Sequence, residues 1–139
     1  MENYKRSVNA ILVNSKKQIL LQLRDNKPEI LYPNYWAFIG GSVEDGESEL
    51  DGLKREVKEE INYSINNFQY LDKFCLRKYK IICLVYVGYL NAHEEEIKLT
   101  EGQCVKFFNP TEIKNLKMSK IIKKIVHKNL EKILSMANN

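Results

Sequence analysis

Cysteine is scarce in this chain of 139 residues. Cys75, Cys83 and Cys104 are an odd number, are widely spaced and include no C-x-x-C pair. We therefore expect neither a disulfide framework nor a cysteine zinc site, and a reducing cytoplasm is the simplest compartment. Cys83 lies inside an apolar run, so we expect it to be a small core residue.

Long apolar runs are also absent. The longest, Ile81–Val87, has seven residues, whereas a membrane-spanning helix needs about 20. The apolar run 10–13 near the start is too short for the core of a secretory signal. Because no low-complexity linker or internal repeat is visible either, we predict one domain over residues 1–139 and no membrane partner.

The charges are unevenly distributed along the chain, whose net charge is +4. Residues 44–60 carry eight acidic and three basic side chains, whereas residues 112–139 carry seven lysines and two glutamates. The basic segment makes a nucleic-acid partner possible but does not favour it. Only four of the 22 basic residues are arginine, which is the side chain that best binds phosphate in a bidentate manner.

Short runs rich in β-branched and aromatic residues predict strands. Two runs separated by a polar turn predict a hairpin, and a third run ends at the pair Gly40–Gly41. The predicted strands are 8–13, 18–23, 35–39, 68–78, 80–90 and 103–108.

Helical periodicity predicts two helices. The first covers 49–61, with Ser48 as its N-cap and Asn62 as a left-handed C-cap. Its apolar stripe consists of Leu50, Leu53, Val57 and Ile61. The second helix covers 118–136, with lysines on its outer face. Strands interspersed with helices indicate an α/β fold, a mixed sheet with helices packed on its faces.

The first helix concentrates carboxylates. Glu56, Glu59 and Glu60 share an arc of about 100° beside the apolar stripe. Like charges at this spacing repel, and a divalent cation such as Mg²⁺ or Mn²⁺ would offset the repulsion. The alternative is a solvated acidic face whose local partners are lysine and arginine. The helix alone leaves both interpretations open.

The surrounding residues carry a family resemblance. The segment 41–63 resembles the Nudix box, GX5EX7REUXEEXGU, in which U is a bulky aliphatic residue. Seven positions match in register: Gly41, Glu47, Arg55, Glu56, Val57, Glu59 and Glu60. Asn62 replaces the glycine of the pattern, and Tyr63 replaces its final aliphatic residue. Gly52, inside the helix, suggests a close approach of helix and sheet.

The resemblance to MutT-like Nudix hydrolases implies both a fold and a reaction. The fold is an α/β/α sandwich with a mixed sheet between the box helix and a C-terminal helix. The reaction is divalent-metal-dependent hydrolysis of a small nucleoside diphosphate-X substrate, either a nucleoside triphosphate, including oxidised forms, or a nucleotide sugar. The products are a nucleoside monophosphate and a phosphorylated remainder. The implied cofactor is Mg²⁺, with Mn²⁺ as a substitute.

The resemblance also implies the roles of the acidic residues. Gly41, Glu56, Glu59 and Glu60 would form the metal shell. The catalytic carboxylates would be Glu59, Glu56 and Glu101, of which Glu59 and Glu101 are the candidate general bases. Three acids shortly before Glu101 could substitute for it: Glu94, Glu95 and Glu96.

The resemblance implies one structural role, and the residues themselves offer candidates for substrate binding. Arg55 and Glu47 would form an ion pair that fixes the loop against the helix. Arg24 is a candidate phosphate ligand. Trp36 and Phe38 are candidate stacking partners for a base.

Two other functions stay open from the sequence. An RNA 5′-end pyrophosphohydrolase would use the lysine-rich helix, and a non-catalytic nucleotide-sensing domain would use the same fold. We expect a monomer or a homodimer.

Overall fold

The computed structural model describes residues 3–137, and a mixed β-sheet forms its centre. The strands are β1 (Lys5–Val13), β2 (Ile19–Leu23), β3 (Trp36–Ala37), β4 (Ile39–Ser42), β5 (Gln69–Leu76), β6 (Ile81–Tyr89) and β7 (Cys104–Phe108). The helices are α1 (Glu49–Ile61), α2 (Pro110–Ile113), α3 (Lys120–Lys128) and α4 (Leu130–Met136).

Strand β1 is the central strand of the sheet. It pairs in parallel with β6 and antiparallel with β2 and β4. The main path of the sheet is β3-β2-β1-β6-β5, with β7 paired to β2. The pairing of β1 with β4 places Gly41 opposite Val8 and Gly40 opposite Asn9. The glycine pair is therefore held against the middle of the sheet.

The two faces of the sheet carry separate cores. Val8, Ala10 and Leu12 pack on the same side as α1, in a cluster with buried residues of that helix. Ile11 and Val13 pack on the other side, in a cluster that includes buried residues of α3 and α4. Alternate residues of a strand point to opposite faces. The predicted α/β/α sandwich is therefore confirmed.

Helix α1 has the predicted bounds. The Ser48 hydroxyl accepts a hydrogen bond from the Asp51 amide at 3.1 Å, and Asn62 adopts the left-handed conformation with φ 60°. Leu50 was predicted to belong to the apolar stripe of this helix. That prediction was wrong, because the side chain lies in the first turn and is 36% exposed. The buried positions of α1 begin at Gly52 and include Glu60.

Gly52 has a different neighbour from the one predicted. A Cβ at this position would lie 3.0 Å from Glu47 Oε1 and 3.4 Å from Val43 Cγ2. The loop before α1, rather than the sheet, therefore approaches the helix closely here.

The single C-terminal helix predicted over 118–136 is also wrong, because α3 and α4 are separated at Asn129. Asn129 has φ −110° and ψ 14°, and its side-chain Nδ2 donates to the Ile125 carbonyl at 2.9 Å. An asparagine side chain that bonds to nearby backbone favours a break in a helix. None of the helices within residues 3–137 is long and apolar enough to cross a membrane.

The strand predicted over 35–39 is divided as well. Strand β3 pairs with β2, whereas β4 pairs with β1. The predicted end at the glycine pair is therefore wrong, since β4 continues through Gly40 and Gly41 to Ser42. The short helix α2 was not predicted.

Candidate active site

An open cavity of about 420 Å³ lies between α1, β4 and the loop before β7. We call it the carboxylate cleft. Its walls contain four of the predicted carboxylates and the glycine pair: Glu56, Glu59, Glu60, Glu101, Gly40 and Gly41. Arg24 also lines it. Residues far apart in the sequence are thus brought together in one cleft.

Arg55 connects the box loop to the carboxylate cleft. Its Nε and Nη2 atoms donate to the two oxygens of Glu47 at 2.8 and 3.0 Å, and Nη2 also donates to the Ser42 carbonyl at 3.0 Å. The bonds from Arg55 lower the pKa of Glu47 to about 2. Arg55 Nη1 lies 3.0 Å from Glu56 Oε1 and 3.2 Å from Glu59 Oε2.

Glu60 has the opposite environment. Its side chain lies against β4, and its Oε2 accepts a hydrogen bond from the Gly40 amide at 2.9 Å. Burial, followed by the negative charge of Glu56, raises the pKa of Glu60 to about 7. Burial also raises the pKa of Glu56, although Arg55 opposes this shift. Two neighbouring carboxylates, one buried and one partly buried, with raised pKa values are typical of a functional site.

The loop before β7 brings Glu101 to the carboxylate cleft. The Thr100 amide and hydroxyl donate to the Glu60 and Glu59 carbonyls at 3.3 and 3.2 Å, which fixes the loop to the end of α1. The charge of Glu101 contributes to the raised pKa values of Glu56 and Glu60.

The three alternative acids lie elsewhere. Glu94 accepts a hydrogen bond from the Phe107 amide at 2.7 Å, which is a structural contact. Glu95 and Glu96 line a different cavity with His93. The structure therefore does not bring these three acids to the carboxylate cleft.

A second cavity of about 170 Å³, which we call the aromatic pocket, opens beside the carboxylate cleft. Its walls include Asn9, Trp36, Phe38, Phe74 and Cys83. Phe38 is only 3% exposed and belongs to the core. Trp36 packs edge-on against Phe108 with ring centroids 4.8 Å apart.

Arg24 lies where the two cavities meet, and its Nε donates to the Leu31 carbonyl at 2.8 Å. The structure therefore brings the three predicted substrate residues, Arg24, Trp36 and Phe38, to this pocket.

The sequence also matches a known protein family. The model of the NUDIX domain family matches residues 3–128. This chain belongs to the NUDIX family. The predicted family is thereby confirmed over nearly the whole chain. The segment 41–63 is its Nudix box.

Two curated relatives match parts of this Nudix chain. An RNA pyrophosphohydrolase from Ruthia magnifica is 38% identical over 72 residues, which are 52% of this chain and 37% of the relative. A dihydroneopterin triphosphate diphosphatase from Escherichia coli K12 is 36% identical over 66 residues, which are 45% of this chain and 40% of the relative. The matches therefore span less than half of either relative.

A solved structure resembles the whole Nudix fold. The MutT protein from Methanosarcina mazei Go1 superimposes with a TM-score of 0.82 at 25% identity. The superposition covers 95% of this chain and 97% of that protein.

The carboxylates of the cleft and the backbone of the glycine pair offer oxygen ligands, which suit a hard divalent cation. A Cβ on Gly41 would overlap the Glu56 carboxylate, so the glycine leaves room for that side chain in the place it occupies. Within residues 3–137, no three acidic, histidine or cysteine side chains converge into a ready-made cluster. The reason is that Glu56 and Glu59 turn towards Arg55, while Glu60 turns towards Gly40.

Two polar residues that line these cavities were not predicted from the sequence. Gln22 is only 5% exposed, and its hydrogen bond to Glu60 lowers the pKa of that carboxyl against the larger effect of burial. Asn9 lines the aromatic pocket. Each is a polar residue within an otherwise apolar predicted strand, which could have marked it as a candidate site residue. Only the pairing of the strands shows which cavity it lines.

Proposed function

We propose that this chain is a divalent-metal-dependent pyrophosphohydrolase that cleaves a small nucleoside diphosphate-X substrate. The products would be a nucleoside monophosphate and a phosphorylated remainder. The observation that carries the proposal is the meeting of Glu56, Glu59, Glu60 and Glu101 in one cleft beside the glycine pair. The two curated relatives support it, since both names describe cleavage of a phosphoric anhydride.

The proposed metal ligands are Glu56, Glu59, Glu60 and Gly41, with Mg²⁺ as the cation and Mn²⁺ as a substitute. When bound, the cation would neutralise the diphosphate and make a coordinated water more acidic. Glu60 would supply a carboxylate already fixed by the Gly40 amide. Arg55, held by Glu47, would keep Glu56 and Glu59 at the mouth of the cleft.

Glu59 and Glu101 are the proposed candidates for the general base. The Glu59 side chain is 57% exposed, and Glu101 is exposed at the other side of the cleft. A base that accepts a proton from water must lie within reach of that water in the complex. The variants Glu59→Gln and Glu101→Gln separate the two, because only loss of the base abolishes the acidic limb of the pH–rate profile.

Arg24 is the proposed phosphate ligand, because it lines both the carboxylate cleft and the aromatic pocket. A guanidinium there could bind a phosphate oxygen of a substrate that extends between the two cavities.

Turnover of a substrate panel tests the proposed function. The panel contains nucleoside triphosphates, oxidised nucleotides, nucleotide sugars and dihydroneopterin triphosphate, each with Mg²⁺ and with Mn²⁺. The double variant Glu59→Gln, Glu60→Gln should lose several orders of magnitude in rate. The matched control is Glu95→Gln, Glu96→Gln, which removes the same charge outside the cleft. Equal turnover by both double variants, or no turnover by the wild type, would contradict the proposal.

An RNA 5′-end pyrophosphohydrolase is the second candidate function. It is favoured by the name of one relative and by the exposed Lys120, Lys124 and Lys128 of α3. Lysine contacts to phosphates make binding fall steeply with salt. Turnover of 5′-triphosphorylated RNA should then exceed that of free nucleotides at low salt and decline sharply as salt rises.

The nucleotide-sensing alternative predicts binding without turnover. The intact set of carboxylates in the cleft argues against it. A nucleotide that raises the melting temperature but is not cleaved with either metal would favour the sensor.

A further inference from the structure

Helix α3 has an unbalanced set of charges. Its nine residues include four lysines and a histidine but no acidic residue. Lys120, Lys124 and Lys128 follow one another at i, i+4 spacing, at which like charges repel. Lys120 also lies in the first turn, where the helix dipole favours acidic side chains. These charges oppose formation of the start of the helix, and a role in binding an anionic partner would account for them.

Three of these lysines border a cavity of about 670 Å³ between α2 and α3. We call it the lysine groove. Lys123 Nζ donates to the carbonyl of Lys114, the C-cap of α2, at 3.0 Å, which joins the two walls. No acidic residue of the described chain lines the groove. Its basic residues are Lys114, Lys123, Lys124, His127 and Lys128.

The charge of the lysine groove is not neutralised by the fold. Within residues 3–137, none of its four lysines forms an ion pair. Lys114, Lys124 and Lys128 are exposed. A concentrated, unpaired positive charge attracts an anionic partner and steers its approach.

The other side chains that line the lysine groove are mainly aliphatic. Ile113 and Val126 form part of its floor and are almost fully buried, and Pro110 and Leu130 also line it. No phenylalanine, tyrosine, tryptophan or arginine of the described chain lines it. Nucleic acids bind best where aromatic side chains stack on bases and arginine binds phosphates. An acidic protein segment with an apolar stripe matches both the rim and the floor.

We propose that the lysine groove is a docking surface for an acidic amphipathic helix of a partner protein. The carboxylates of the partner would pair with the lysines of the rim, and its apolar stripe would lie on the aliphatic floor. The lysine groove shares no lining residue with the carboxylate cleft or the aromatic pocket. The docking surface is therefore independent of the proposed hydrolysis, and either proposal can fail without the other.

Fluorescence anisotropy of a labelled peptide tests the docking surface. The probe is a synthetic peptide of about 18 residues, long enough to form a helix in water. It carries leucines at i, i+4 and i+7 and glutamates and alanines elsewhere. A second peptide of the same composition has its leucines distributed around the helix. The first should bind at least about tenfold more tightly than the second, and its binding should weaken as salt rises.

Charge reversal on both walls locates the binding site. Lys114→Glu, Lys124→Glu should weaken binding of the first peptide at least about tenfold, because like charges would then face each other. The matched control is Lys16→Glu, Lys98→Glu, which makes the same change in charge at exposed positions outside the groove. The control should bind the peptide as the wild type does.

The single variant Lys124→Glu separates binding from folding. It converts two repulsive i, i+4 pairs, with Lys120 and Lys128, into attractive ones. Its melting temperature should therefore be at or above that of the wild type, while its affinity for the first peptide falls. Weaker binding by a protein that is no less stable excludes misfolding as the cause.

Binding of the first peptide that the groove variant loses and the control keeps would sustain the proposal. No binding of this peptide, equal binding of both peptides or unchanged binding by the groove variant would overturn it. Tighter binding of single-stranded RNA of the same charge at the same salt would assign the lysine groove to nucleic acid instead. Dimerisation in sedimentation velocity that the groove variant abolishes would assign it to a second copy of the chain.

Discussion

Glu47 and Glu60 belong to the same motif but lie in opposite electrostatic environments. Glu47, in the loop before α1, receives two bonds from the Arg55 guanidinium, which lower its pKa to about 2. Glu60, on the buried side of α1, is desolvated beside Glu56, which raises its pKa to about 7. The first carboxylate is stabilised as an anion by the fold itself. The second is destabilised as an anion, and a cation would reverse that cost.

This contrast assigns a structural role to Glu47 and a functional role to Glu60 within one short segment. A carboxylate paired inside the chain stabilises the folded state, whereas a buried, unpaired carboxylate costs stability and is retained where a ligand needs it. If the comparison is correct, neutralising Glu47 should harm folding, and neutralising Glu60 should harm activity while aiding folding.

The largest expected effect is on the rate of hydrolysis. Glu60→Gln should lower kcat/KM about 1000-fold or more with Mg²⁺, because metal-derived charge stabilisation is worth several kcal/mol. The same variant should melt at or above the wild-type temperature in a chelator, since glutamine can still accept from the Gly40 amide. Glu95→Gln serves as the control. Wild-type turnover by Glu60→Gln would remove Glu60 from the proposed metal shell.

The next effect concerns stability at neutral pH without metal. The Glu60 pKa rises on folding from 4.5 to about 7, so the folded state binds the proton more tightly. Its contribution to stability is fully present below pH 4.5 and declines as the pH rises towards 7, by an amount on the order of 3 kcal/mol. Urea unfolding in a chelator should show this decline in the wild type and not in Glu60→Gln. Identical pH profiles would show that Glu60 is not desolvated.

The sequence predicts the environment of Glu47 better than that of Glu60. The Arg55–Glu47 contact connects two fixed positions of the box, and local caps at Ser48 and Asn62 define the helix that carries Arg55. Helical spacing also places Glu60 beside the apolar stripe. It does not show that Glu60, rather than Leu50, is buried, because that depends on where β4 lies.

Features that depend on non-local pairing could not be predicted. Asn9 reads as one polar residue in a strand until its pairing with Gly40 and Val85 places it in the aromatic pocket. The break between α3 and α4 at Asn129 could not be predicted for a related reason. The apolar repeat continues through this position, whereas the Asn129 side chain donates a hydrogen bond to the Ile125 carbonyl. Periodicity reports which residues are apolar, but not which polar residues find a partner.

The third test removes the Arg55 guanidinium, which contacts the carboxylates of Glu47, Glu56 and Glu59. Arg55→Ala leaves Glu47 without its bidentate partner and frees Glu56 and Glu59, so it should lower the free energy of unfolding by about 2 kcal/mol. Arg6→Ala is a matched control, because the Arg6–Glu49 pair is more exposed, at 40% and 38%. That variant should cost only about 0.5 kcal/mol. Equal losses would mean that Arg55 behaves as an ordinary surface arginine.

The smallest expected effect lies at acidic pH and isolates Glu47. Its pKa falls on folding from 4.5 to about 2, so the unfolded state binds the proton more tightly. The stability it contributes is present above pH 4.5 and is lost as the pH falls towards 2. Thermal melting between these values should therefore be less pH-dependent in Glu47→Gln than in the wild type, whereas Glu60→Gln should keep the wild-type slope there. If Glu60→Gln instead removed the acidic slope, the assignment of the two environments would be reversed, and the loop before α1 would be the place to look for the cation.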